Sequence, residues 1–209
     1  MKSKYVTAVS VVMVSLLGGL SACGSDSDGT SNPNIFIGLQ REDPLRVGDV
    51  SLPDQTTGAS GRFTTKAAPG ELLMVYFGYT NCPDLCPTTL ADLKMAKKRI
   101  GKAADVVDLA FVTVDPERDT AEKLNTYLSS FTDRFHVLRT TDFDELQQAE
   151  DKFLAVSRVI KNDDGSVDVE HTASAYMVDA NGTVVVEWPF GIGSDGMEHD
   201  LRILLKGLS

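Results

Sequence analysis

Two cysteines four residues apart stand in the run Phe77-Gly78-Tyr79-Thr80-Asn81-Cys82-Pro83-Asp84-Leu85-Cys86-Pro87. Thiols at that spacing can exchange disulfides with another protein or, as thiolates, ligate a soft metal ion. They can also form a structural bridge or pack as inert core thiols. Pro83 and Pro87 stiffen the loop where a functional pair would be held. Pro87 suits the first position of a helix, where its missing N–H goes unneeded. That start places Cys86 at the helix mouth, where negative charge is favoured. Cys86 is therefore expected to be the more acidic thiol, with Cys82 the more exposed and the one that exchanges.

The type of thiol chemistry is narrowed by what surrounds the pair. Thioredoxin-type oxidoreductases separate their cysteines by two residues; here three intervene. Those enzymes also set a proline before the strand that faces the cysteines, and this chain has none between Pro116 and Pro189. A peroxiredoxin places threonine three residues before its reactive cysteine, a position held here by Tyr79. His171 arrives where the facing proline would lie. Two thiolates and one imidazole suit copper, since Cu(I) prefers sulfur and Cu(II) accepts nitrogen with sulfur. A structural zinc site wants four protein ligands, and no fourth cysteine or histidine has a fitting position. His136, opening a strand, and His199, on the last helix, read as structural.

The elements that must position these residues follow from the apolar pattern. Leu72–Phe77, flanked by Gly70 and Gly78, is a continuous apolar run and predicts a buried strand. Leu90, Leu93 and Ala96 keep helical spacing after Pro87. A second buried strand spans 106–114. Asp119 with Glu122 resembles a capping box opening a helix through Leu124, Leu128 and Phe131. A short strand at 135–138 precedes a helix from Asp142 to about Ala155. Residues 156–160 and 167–170 read as a hairpin. So do 174–178 and 183–188, joined by Asp179-Ala180-Asn181-Gly182. A last helix runs from about Asp195 to Lys206, and 47–52 with 61–65 add a small hairpin upstream. This order predicts an α/β sandwich with a mixed central sheet.

The N-terminus reads as an address. Lys2 and Lys4 precede 16 uncharged residues, Tyr5 to Leu20, short of the ~20 that span a bilayer comfortably. Leu20-Ser21-Ala22-Cys23 resembles the lipobox of bacterial lipoproteins, in which the cysteine becomes the acylated first residue. Residues 1–22 are thus expected to be a lipoprotein signal peptide. Residues 23–34, without a large apolar side chain after Cys23, form a flexible tether, and 35–209 form the folded domain. The expected location is the extracytoplasmic face of the cell membrane, with the lipid bilayer reached through acylated Cys23. The 209 residues carry 30 acidic against 20 basic side chains, a formal charge of −10; such a surface repels a phosphate backbone and excludes nucleic acid as a partner. One cysteine for lipid and two for a pair account for all three thiols.

Three motifs then converge. Tyr76 to Pro87, Val114-Asp115-Pro116-Glu117-Arg118-Asp119-Thr120 and Glu170-His171-Thr172-Ala173-Ser174-Ala175-Tyr176 resemble the Sco/SenC family in order and separation, across about residues 48 to 208. The resemblance implies a thioredoxin-like fold with an extra N-terminal hairpin and inserted elements. It implies copper, as Cu(I) and Cu(II), bound through Cys82, Cys86 and His171. It also implies a role in assembling the Cu-A centre of cytochrome c oxidase subunit II, with another copper chaperone as a further candidate partner. The rival expectation is an extracytoplasmic thiol-disulfide oxidoreductase, with Cys82 and Cys86 as a redox pair. The Asp115–Arg118 stretch has no role defined by sequence: at the cysteine edge of the sheet it can shape the site or a partner surface, or serve only as a tight turn and helix cap.

Overall fold

The computed structural model describes residues 35–59 and 61–208, so the expected signal peptide, the tether and Cys23 lie outside the described residues. Strand β1 (Ser51–Pro53) pairs antiparallel with β2 (Arg62–Thr64), a shorter version of the expected upstream hairpin. Strand β3 (Leu72–Gly78) is buried at every residue, as its apolar run demands when both faces of a sheet are covered. It leads into α1 (Leu85–Ile100) and, through a 3-10 turn over Gly101–Val106, to β4 (Val107–Thr113). There follow α2 (Ala121–Ser129), β5 (Phe135–Leu138), α3 (Phe143–Phe153) and the antiparallel hairpin β6 (Ser157–Lys161) and β7 (Val167–His171). Strands β8 (Ser174–Val178) and β9 (Val184–Pro189) and helix α4 (Gly193–Gly207) complete the chain.

The central sheet has the order β5-β4-β3-β8-β9, with β3, β4 and β5 parallel and β8 and β9 antiparallel to their neighbours. Pleating sends alternate residues to opposite faces. Phe77 and Tyr176 meet Phe153 of α3 on one face, with ring centroids 5.4 and 5.1 Å apart. Tyr76 and Phe111 are paired in register on the other face, where Phe111 meets Tyr127 of α2. Trp188 of β9 donates its indole N–H to Asp200 of α4, 2.9 Å away. Asp200 is fully buried and also accepts the backbone N–H groups of Ile37 and Gly38, each at 2.8 Å. This mixed sheet between helices is the thioredoxin-like arrangement. Among the described residues no helix is long and apolar enough to cross a membrane.

Three local expectations need correction. Helix α1 starts at Leu85, so Pro87 lies inside the first turn and Cys86 is its second residue. Asp119 is not the cap of α2: Thr120 is, its hydroxyl accepting the N–H of Lys123, and the helix ends before Phe131. Helix α4 begins two residues earlier than expected, at Gly193. His199 bonds the carbonyl of Ile35, and His136 lies between two carboxylates, so both are used by the scaffold.

Candidate metal centre

The cysteines stand where β3 hands the chain to α1. Gly78, the last residue of β3, makes room for them: a Cβ there would lie 3.0 Å from Cys86 Sγ, 3.0 Å from Tyr76 Cε1 and 2.9 Å from Phe111 Cζ. The loop then turns, with Cys82 N–H donating to the Tyr79 carbonyl. Thr80 is tied down separately, its N–H and hydroxyl both donating to the Asp119 carboxylate. His171 ends β7 and reaches the same place because β8, three residues on, pairs with β3 through Ala175 and Tyr76.

The donor atoms of Cys82, Cys86 and His171 all lie within 4.8 Å of one another. His171 Nε2 stands 3.6 Å from Cys86 Sγ. Bonds of about 2.3 Å to sulfur and 2.0 Å to nitrogen, at trigonal angles, would set such a pair about 3.7 Å apart, so the spacing fits a shared ion. His171 Nδ1 lies 2.9 Å from the Thr172 carbonyl. That oxygen can only accept, so Nδ1 carries the proton and Nε2 turns its lone pair toward the sulfurs. Burial pushes the imidazole below its ordinary pKa, which keeps it neutral and able to ligate. The rings of Tyr76 and Tyr79 meet it edge-on, at 6.2 and 5.7 Å between centroids.

The two sulfurs differ, but not as the helix-mouth argument expects. Cys86 is 0% exposed and Cys82 8%. Burial above all, and then the neighbouring Cys82, pushes the Cys86 thiol well above its usual range. Desolvation beats the helix N-terminus because Cys86 points its sulfur into the core while its N–H points at Cys82 Sγ, 3.2 Å away. The helix end thus serves Cys82. Both cysteines are free thiols.

All three sequence-derived ligands are therefore brought together. Sequence reasoning missed Gly78, whose position at the end of an apolar run was a usable signal, and Asp119, whose place before a helix imitated a cap. A thioredoxin-like domain with a dithiol and an unprotonated imidazole nitrogen at the end of its central strand defines a class of thiol or metal protein. Residues 47–206 match the SCO1/SenC family. A SCO2-like protein of Rickettsia conorii is 33% identical over 144 residues, 68% of each chain. Apo Sco1 of Thermus thermophilus is 28% identical with a TM-score of 0.68, covering 82% of this chain and 98% of that one. ScoI of Bradyrhizobium japonicum, solved with copper bound, is 32% identical with a TM-score of 0.61, covering 77% and 96%. The chain belongs to the SCO1/SenC family.

Proposed function

We propose that this protein is a copper metallochaperone, with Cys82, Cys86 and Nε2 of His171 as the ligands of its cargo. The observation that carries the reading is the convergence of two sulfurs and an imidazole nitrogen within 4.8 Å. Soft sulfur favours Cu(I), while the imidazole lets the same site hold Cu(II). The copper-bound Bradyrhizobium relative supports that choice of metal. Family membership supports a place in cytochrome c oxidase assembly, with the Cu-A site of subunit II as the destination and another copper chaperone as the source. Acylated Cys23 would hold the domain at the extracytoplasmic face of the membrane. Two tests follow. The reduced full-length protein should bind one copper, with intense sulfur-to-metal charge-transfer bands for Cu(II), and His171→Ala should lose copper retention by orders of magnitude. Cys23→Ala should move the protein from the membrane to the aqueous fraction or leave its signal uncleaved; a mature wild-type chain that starts elsewhere and needs no detergent overturns the anchor.

A second reading, reduction of a partner's disulfide, draws on the N–H aimed at Cys82 and on its greater access. His171→Ala separates the two. It should leave disulfide exchange largely intact while disabling copper retention, and the reverse outcome would favour the reductase.

A further inference from the structure

The turn Asp115–Asp119 touches both halves of the metal centre. Toward the cysteines, the fully buried Asp119 carboxylate accepts Thr80 N–H at 3.0 Å and the Thr80 hydroxyl, two residues before Cys82. It also accepts the Thr113 hydroxyl at 2.7 Å, which fixes it to the end of β4. Toward the histidine, Arg118 Nη1 donates to the Val167 carbonyl at 3.4 Å, at the start of the strand that ends in His171. Glu117 pairs with Lys161 on the other strand of that hairpin, at 2.7 Å. The Arg118 guanidinium pairs with buried Asp115 and stands over the Tyr79 ring, 6.0 Å from its centroid. The turn is itself pinned to the chain just past β5, because Arg139 donates to the carbonyls of Pro116 and Asp119 at 2.8 and 2.7 Å. Capping cannot account for this wiring, since Thr120 does the capping.

We infer that the Asp115–Asp119 turn is a bracket setting the distance between the cysteine loop and the histidine hairpin, with Asp119 and Arg118 as positioning residues. The inference rests on the metallochaperone reading for its consequence, not for its geometry. Groups that orient metal ligands from behind cost about 10–100-fold in metal affinity when removed.

The test uses the full-length reduced protein as wild type, Asp119→Asn, Thr80→Val and Arg118→Lys. Before copper is added, alkylation of Cys82 by iodoacetamide should quicken several-fold in the first two variants. Arg118→Lys should leave that rate unchanged and shift the His171 ring nitrogen resonances. Each variant should then bind copper about 10–100-fold more weakly, with an altered Cu(II) charge-transfer spectrum. Thr80→Val, which removes only a hydroxyl at a partly exposed position, keeps the test alive if Asp119→Asn fails to fold. Variants that only melt earlier, with wild-type alkylation, resonances and copper affinity, overturn the bracket. A wild-type protein that binds no copper overturns the proposed function instead, and the two copper-free readouts still decide the bracket.

Discussion

Asp119 and Asp200 are the same device in two places. Each is fully buried, and each carboxylate accepts three hydrogen bonds from neutral donors. A carboxylate out of water needs this full complement, because an unpaired buried charge is costly. What differs is the cargo of the donors. Those of Asp200 are two N–H groups of the entering chain and an indole on β9, so it staples the N-terminal segment to the outer edge of the fold. Two of those of Asp119 belong to Thr80 in the cysteine loop, and the third, the Thr113 hydroxyl, ties that loop to the end of β4. One network makes the domain stable and the other shapes a site.

Breaking the scaffold partner should have the largest effect. Asp200→Ala strands three donors, two of them backbone, and should cost roughly 3 kcal/mol, a fall in Tm of roughly 6–12 °C for a domain of this size. Copper affinity at a temperature where the variant is folded should match wild type. Loss of affinity in step with loss of stability would show that the two regions are not separate.

The comparison also marks how far the amino-acid order could be read. The buried strand, the thiol pair and the hairpin ending in His171 were legible, since each is a local pattern: an apolar run, a spacing, two β-rich segments about a turn. That His171 meets Cys86, 85 positions away, was legible only by analogy, from the place of the thioredoxin facing proline and then from the family resemblance, because β8 must first pair with β3. The helix start was misread because proline fits any position of a first turn and Asp84 makes no side-chain cap. The expected acidity of Cys86 failed with it, since burial of Cys86 depends on packing that no local signal reports. Asp119 looked like a cap for the same reason: polar residues before a helix usually are, and its true partner lies 39 positions upstream.

The next effect sharpens what burial does at the site. Copper must displace the Cys86 proton, which burial holds tightly at neutral pH. His171, pushed below its ordinary range by burial, is already neutral there. Protons therefore compete with copper, and affinity should fall about tenfold per pH unit for each thiol proton displaced between pH 8 and 6.5. The imidazole should steepen the fall only below about pH 6.5. Competition titrations against a chelator, run at several pH values, read the slope. His171→Ala should keep the upper slope and lose the added steepness, and a flat profile would mean that copper is not held by thiolates.

The smallest expected effect belongs to the scaffold again. His136, on β5, has Nδ1 2.8 Å from Asp54 Oδ2 and Nε2 3.4 Å from Asp108 Oδ2, with Phe63 stacked on its ring at 3.7 Å. Burial alone would lower its pKa, but the hydrogen bonds to Asp108 and Asp54 together outweigh burial, and it lies above the ordinary value. For the two carboxylates burial works upward, yet their hydrogen bonds, His136 among the donors, hold both below the ordinary range. The signs then combine. The histidine's contribution to stability is fully present below about pH 6.5, its unfolded value, and is lost as pH rises through the raised folded pKa. The contribution of the carboxylates is present above about pH 4 and is lost as pH falls through their lowered pKa values. The cluster is thus strongest between about pH 4 and 6.5. Denaturant unfolding at pH 5.5 and 8.5 should differ in wild type by on the order of 1 kcal/mol from this source, and His136→Gln should remove that difference. Because the cluster lies behind β1 and β2 and none of its hydrogen bonds reaches the cysteine loop, copper affinity at fixed pH should not change. A variant that loses copper as well would tie this end of the sheet to the metal centre.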